Sequence, residues 1–380
     1  LGMENKIIHA LLWMVYGDAL GFLNENIEVK TEKLESFLYR YNENLAMEKQ
    51  KGQYSYITEL ILIMIKSFMD QDTDLKVAVD YRRFYEELKL WQYYRHGNPG
   101  NLIGKLQDGK NYYESQFYWQ DKRGHGILRV FPILLANKNY AAAEEEAYRS
   151  IIYLNRHPQV ILTGLLLIRT GYILLTKGFM EKEDLVQELK NYLIHLQFQQ
   201  LNENIRTKLS ANYKIQFEKE KIAYILDLDR FLHRAIEGCP WDSKVVFLKG
   251  LQNAYHLQEG TKIDFKGLPQ DECKEAIAIA YGLWGINRPQ QEEKLLKDQQ
   301  FIEDMGKYLY KLRNFEVKRK SYDNKEKRID LFQQKKDDII RHPLLNLVKI
   351  KERSETLHYI KLLVETKSGT YTFIKEKTRQ

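Results

Sequence analysis

Cysteine is nearly absent from this chain. Cys239 and Cys273 are the two in 380 residues, which excludes a disulfide framework and fits a reducing, cytoplasmic setting. Proline is also scarce, with seven residues, so long helices can run unbroken. The sequence has no internal repeat and no low-complexity tract, which sets solenoid architectures aside. Met3, after Leu1-Gly2, is the expected natural start, and no basic-then-apolar leader follows it. The most apolar long stretch, Val160 to Leu175, carries Arg169 within it. It reads as a buried core helix rather than a membrane span, and no membrane contact is expected.

What is present is ordinary globular bulk with many aromatic rings. Hydrophobic residues make up 44% and charged residues 29%, which suits a soluble globular protein with a sizeable core. The 26 Tyr and 16 Phe make stacking surfaces for a base or sugar available. The net charge of +7 is modest. Its basic clusters lie late, in Lys318-Arg319-Lys320, Lys325 to Arg328 and Lys335-Lys336, with acids interleaved. That pattern reads as a solvated helix face before it reads as a nucleic-acid site.

Apolar spacing of three and four residues makes helix the dominant expectation. Ile61, Leu62, Ile65, Phe68 and Met69 form one such face, and Leu185, Leu189, Tyr192, Leu193 and Leu196 another. Loops are expected at Gly97 to Gly100, Gly124 to Gly126, Gly238 to Pro240 and Gly267 to Pro269. After about Asn314 the composition changes. A charged helix is expected to about Arg341, stopped by His342-Pro343, and then strands at Leu345 to Ile350, Leu357 to Val364 and Thr370 to Ile374. Ser368-Gly369 reads as the turn between the last two. The expected organisation is therefore mainly α, a compact helical domain over 3–314 with a small β-containing, basic extension over 315–380.

Chemistry concentrates first at Gly17-Asp18-Ala19-Leu20-Gly21, with Glu25 following. Two glycines closing the apolar run from Ile7 to Tyr16 suggest a tight bend from which Asp18 and Glu25 project, although a plain helix C-cap explains the glycines as well. Further motifs follow in order. They are Gly52-Gln53-Tyr54-Ser55-Tyr56-Ile57-Thr58-Glu59, Gly97-Asn98-Pro99-Gly100-Asn101, Gly126-Ile127-Leu128-Arg129-Val130-Phe131-Pro132, His157-Pro158, and the small-residue helix Ala276 to Gly285. Taken together, and over roughly Lys6 to Arg313, these motifs resemble the ADP-ribosylglycohydrolase family.

That resemblance implies an all-helical fold that hydrolyses the glycosidic bond from ADP-ribose to a protein side chain or small molecule. Most such enzymes use two Mg²⁺ ions, which need oxygen donors, chiefly carboxylates. Carried over by position, the ligands of the first metal motif become Ser55, Tyr56 and Ile57. Those of the second become Glu272, Cys273, Lys274 and Glu275, or Asp271 and Cys273 in a register slipped by one. Ser55 and Glu272 still offer oxygen and leave a single Mg²⁺ open. Lys274 puts a cation where a dication's ligand should stand. The Mg²⁺ pair is expected to be lost, with the Lys274 ammonium pairing Glu25 or Asp18 instead.

By the same resemblance Glu25 and Asp18 are the candidate catalytic pair, Glu25 activating water, with an exposed loop carboxylate as the alternative for Glu25. Gly97, Gly100, Asn101 and Gly126 are candidate ligand contacts, Asn101 and its glycines cradling a diphosphate or capping a helix. Arg129 is set against a phosphate or in a structural salt bridge. His157 either donates to a ligand or belongs to the turn before Pro158. Lys274 completes the ligand-binding set. Three functions compete: an ADP-ribose-type binding protein with impaired catalysis, a working hydrolase with an altered or single-metal site, and a scaffold whose basic extension engages a protein or nucleic acid.

Overall fold

The first helix is apolar on every side, which marks it as the centre of a core rather than a surface element. The computed structural model describes residues 1–24, 37–42, 45–71, 75–107, 113–203, 205, 209–233, 242–263, 270–289, 295–318 and 329–377. Among them the elements run α1 (Met3–Leu23), β1 (Phe37–Asn42), β2 (Leu45–Lys49), α2 (Tyr56–Lys66), β3 (Phe68–Gln71), β4 (Lys76–Val79), α3 (Tyr81–Trp91), α4 (Leu102–Gln107), α5 (Gln116–Gln120), α6 (Phe131–Ala136), α7 (Tyr140–Leu154) and α8 (Pro158–Lys177). They continue with α9 (Lys182–His195), α10 (Phe198–Asn202), α11 (Ala211–His233), α12 (Ser243–Gln258), α13 (Gln270–Gly285), α14 (Gln299–Arg313) and the strands β5 (Ile339–His342), β6 (Asn346–Glu355), β7 (Tyr359–Thr366) and β8 (Gly369–Glu376). The chain is mainly helical, as expected.

Glycine sets how closely the central helices meet. A Cβ on Gly21 would lie 2.4 Å from Lys274 Cα, one on Gly17 2.6 Å from the Ile277 carbonyl, and one on Gly285 2.4 Å from Trp13 Cβ. α1 and α13 therefore approach almost backbone to backbone, and α12 and α14 flank the pair. α1 and α8 are long and apolar enough to cross a bilayer, yet 89% and 83% of their apolar windows are buried within the body.

The C-terminal strands form one antiparallel sheet in the order β5-β6-β7-β8. Its inner face, Val348, Ile350, Leu362, Val364 and Phe373, is buried in the same hydrophobic core as the helices. Backbone pairing ties it further: Ile374 N–H donates to the Tyr93 carbonyl at 2.8 Å.

Four expectations change. The Gly17–Gly21 segment is no bend, because α1 runs on to Leu23 and its glycines serve helix contact. Phe68 and Met69 leave the α2 face, since that helix ends at Lys66 and Phe68–Gln71 pairs with Lys76–Val79 as a hairpin. β1 and β2 form a second hairpin that periodicity did not reveal. The charged helix to Arg341 is replaced in its described portion by a 3₁₀ turn at Leu331–Gln333 and strand β5. The His342 side chain accepts from the Leu344 and Leu345 N–H groups, so His342-Pro343 opens a strand turn and ends no helix. The expected loops at Gly238–Pro240 and Gly267–Pro269 lie outside the described residues.

Candidate functional site

The resemblance motifs meet where α1, the start of α2, the Gly97 loop, the Gly126 loop and α13 converge. Asp18 projects from α1 to the N-terminus of α2, where the backbone N–H groups lack helical partners. Its carboxylate accepts from Ser55 N–H at 2.9 Å, Ser55 Oγ at 2.6 Å, Thr58 N–H at 3.0 Å and Thr58 Oγ1 at 2.7 Å. Burial raises its pKa, and the Ser55 and Thr58 hydrogen bonds oppose that rise. All four bonds hold a helix end, so the geometry gives Asp18 a capping task. Ser55 is equally committed, since its Oγ also accepts from Ile57 N–H at 3.2 Å.

Lys274 enters this corner from α13 and is fully buried. Its ammonium lies 5.2 Å from the Tyr56 ring centroid and 5.9 Å from that of Phe22, an arrangement in which ring quadrupoles attract the cation. Gly97 closes the same corner with φ +84°, and a Cβ there would meet Tyr56, Phe22 and Lys274 Nζ within 3.6 Å. Asp18 bonds Ser55 and Thr58 rather than Lys274, so the expected Lys274–Asp18 pair does not form. Glu25 lies outside the described residues. So does the side chain of Glu272, whose backbone is on α13.

Two acids anchor the loops: Glu275, which the resemblance sets at the last position of the second metal motif, and Glu59. Glu275, beside Lys274, accepts from Gly126 N–H at 3.1 Å and Leu128 N–H at 3.0 Å. Burial pushes its pKa up to about 7. Glu59 accepts from Trp91 Nε1 at 2.7 Å and His96 N–H at 3.2 Å, while its other oxygen lies 2.6 Å from His96 Nδ1. That contact orients the imidazole and leaves Nε2 without a hydrogen-bond partner among the described residues. The Phe22 ring stands edge-on to His96, with centroids 6.4 Å apart. The signal for Glu59 was available, because it closes the quoted Gly52–Glu59 motif. His96 precedes the Gly97 loop but belongs to no spacing pattern.

His125 was missed as well. It lies against Gly100, where a Cβ would come 2.6 Å from its ring, and 6.5 Å from the Tyr56 centroid. Burial, reinforced by the Arg123, Lys274 and Lys105 charges, lowers its pKa to about 4. Lys105, on α4 just after the loop, donates to the Leu154 carbonyl at 2.7 Å, and burial lowers its pKa to about 8.

Arg129 and His157 hold the frame. Arg129 is buried, and its guanidinium donates to the Gly126 carbonyl at 3.1 Å and the Ser150 carbonyl at 3.2 Å. It holds backbone where a phosphate contact was one of two expectations. Gly126, at φ +70°, packs against Leu60, to which a Cβ would come within 2.4 Å. His157 is the N-cap of α8: its Nδ1 accepts from Gln159 N–H at 3.1 Å, and Nε2 lies 3.4 Å from Gln216. Its pKa is lowered to about 4 by burial, which suits a neutral acceptor at a helix start. The Asn101 carbonyl accepts from Lys105 N–H at 3.1 Å, and its side chain is half-buried. The structure thus gathers Asp18, Ser55, Gly97, Gly126 and Lys274 with Phe22, Tyr56, Glu59 and His96.

No family model matches the sequence, and no curated protein matches it. Among solved structures 41 chains match. One of them, an ADP-ribosylglycohydrolase-related protein complex, is similar at a TM-score of 0.55, covering 82% of this chain and 99% of its own at 15% identity. A likeness at that identity is one of fold. The chain has a mainly helical, ADP-ribosylglycohydrolase-like fold.

Proposed function

We propose that this protein binds an ADP-ribose-type or related nucleotide ligand through the Gly97 corner, without Mg²⁺ and with little or no hydrolysis. The observation that carries this reading is the buried Lys274 ammonium between the Tyr56 ring and Gly97. The resemblance puts metal ligands at positions 56, 57 and 274, and a tyrosine, an isoleucine and a lysine stand there. Of the two oxygen donors that remain, Ser55 Oγ is engaged with Asp18 and Ile57, and the Glu272 side chain lies outside the described residues. These donors do not suit two Mg²⁺ ions, which would repel each other without several carboxylates between them.

A fixed cation beside a glycine loop favours an anionic ligand, and it needs no metal to do so. His96 Nε2 is placed to hydrogen-bond a ligand hydroxyl, with the ring held in orientation by Glu59. Titration calorimetry with ADP-ribose, in Mg²⁺ and in EDTA, tests the reading. Equal affinity in both buffers, with no release of ADP-ribose from an ADP-ribosylated peptide, is the expected result. Metal-dependent binding with turnover overturns it in favour of a working hydrolase. No binding in either buffer removes the ligand altogether and leaves the scaffold reading.

A further inference from the structure

The family resemblance ends near Arg313, so β5 to β8 lie outside it. These strands nevertheless sit directly against the segment that carries His96 into the Gly97 corner. α3 stops at Trp91, and Gln92 to Arg95 bridge the gap to His96. Both tyrosines of that bridge rest on the extension. The Tyr93 ring stands edge-on to Phe332 with centroids 5.1 Å apart, and the Tyr93 carbonyl accepts from Ile374 N–H at 2.8 Å. The buried Tyr94 ring lies 5.3 Å from that of Tyr371 and 5.1 Å from that of Phe373, both on β8. Ring pairs at such separations add to what burial alone contributes.

β8 is fixed independently of the corner, so it can act as an anchor. Its register with β7 runs unbroken from Gly369 to Glu376. The turn before it seats against the start of α14, where a Cβ on Gly369 would come 2.9 Å from the Asp298 carboxylate. β8 is an edge strand, and Ile374 N–H donates outside the sheet, so the β7–β8 ladder does not use that group. Past the bridge, His96 is held from α2. Tyr56 N–H donates to the His96 carbonyl at 2.8 Å, and Glu59 takes the His96 N–H at 3.2 Å and orients the ring. The segment is therefore pinned at one end by β8 and at the other by α2. Tyr94 and His96 are two residues apart, too short a link to absorb a shift at either end.

We propose that the C-terminal sheet positions the ligand corner, with Ile374, Tyr371 and Phe373 setting where His96 and Gly97 stand, an assignment that rests on the nucleotide reading of that corner. None of the three β8 residues touches the ligand. Ile374 fixes the Tyr93 carbonyl, the two rings fix Tyr94, and the bridge carries both positions to His96 Nε2 and Gly97. A loop pinned before the ligand arrives costs less ordering on binding. Releasing the pin should weaken the ligand without altering any group that contacts it.

Ile374→Pro in the full chain tests it, because proline deletes the N–H and is tolerated on a strand edge. Ile374→Val keeps the N–H and serves as the control. Amide hydrogen exchange without ligand reports the Tyr56 and His96 N–H groups. In the proline variant both should exchange about tenfold faster while the α8 amides keep their protection. ADP-ribose affinity in EDTA, measured by calorimetry, should fall about tenfold with them. Ile374→Val should match the parent in both. Unchanged exchange at Tyr56 and His96 in the proline variant overturns the proposal, as does faster exchange there with ADP-ribose affinity intact, or an equal effect of valine. If the parent itself does not bind ADP-ribose, the nucleotide reading falls and exchange alone judges the role of β8. If proline loosens α8 as well, Tyr371→Leu set against Tyr371→Phe decides by the same measurements.

Discussion

Replacing Asp18 separates a structural carboxylate from a catalytic one. In the folded chain this side chain is fully buried and accepts four hydrogen bonds, two from backbone N–H groups at the start of α2 and two from hydroxyls. Asp18→Ala strands the Ser55 and Thr58 N–H groups where no water reaches, at roughly 1–3 kcal/mol each. The hydroxyls can turn to other acceptors, and losing the buried charge returns part of its desolvation cost. The net loss should be about 4 kcal/mol. Asp18→Asn keeps one acceptor oxygen but sets an amide NH₂ against donors, so it should cost about 2–3 kcal/mol. Urea unfolding followed by tryptophan fluorescence measures both. A cycle with Thr58→Ala should return a coupling of about 1–2 kcal/mol. If Asp18→Ala stays within about 1 kcal/mol of the parent while ligand turnover or binding collapses, the capping argument is wrong and the carboxylate works on the ligand. Should Asp18→Ala not fold at all, Ser55→Ala and Thr58→Ala remove the same bonds one at a time and carry the measurement.

Three further outcomes follow from the geometry. Glu275 has a folded pKa of about 7 against 4.5 in the unfolded chain. The folded protein therefore holds this proton more tightly, and the contribution is complete below about pH 4.5 and lost as pH rises through 7. Urea unfolding between pH 5 and 8 should show a decline of about 3 kcal/mol from this group, and Glu275→Gln should flatten it; an unchanged slope in the variant refutes the assignment. Gly21→Ala forces a methyl to within 2.4 Å of Lys274 Cα, and backbone cannot yield as a flexible side chain can. It should cost about 3 kcal/mol by separating α1 from α13, and a melting curve matching the parent would contradict that. His157→Ala removes the cap that Gln159 N–H uses. It should lower stability by about 1 kcal/mol and leave ADP-ribose affinity unchanged, whereas a drop in affinity would return His157 to the binding site.

Helix content was legible because apolar spacing reports burial directly. α8 and α9 fall where Val160–Leu175 and the Leu185–Leu196 face predict them. The failures share a physical cause: local pattern does not say what the chain will meet in space. Phe68 and Met69 continue the α2 period, yet a hairpin partner at Val79 and Ala78 captures their backbone. Gly17 and Gly21 read as a bend because glycine is commonest in turns, whereas here the need for it comes from α13, more than 250 positions away. A long-range contact of that kind leaves no trace in a window of ten residues.

The same reasoning explains the corner itself. Its order of motifs was readable, but the tasks of its side chains were not, since each depends on a partner from another motif. Asp18 is defined by the end of α2, Glu275 by the Gly126 turn and His96 by Glu59. Lys274 follows from Gly21, because without a side chain at position 21 the α13 backbone comes close enough to deliver a lysine beside Tyr56 and Gly97. A bulkier residue at 21 would push the ammonium away from both. The glycine contact and the cation are then one device, and Gly21→Ala should disturb nucleotide affinity together with stability. Lys274→Met, which keeps the bulk and removes the charge, should lower that affinity, with the unfolding midpoint measured beside it to separate loss of charge from loss of fold. Affinity for an anionic nucleotide that survives Lys274→Met, measured by calorimetry in EDTA, would break the link between this lysine and the ligand.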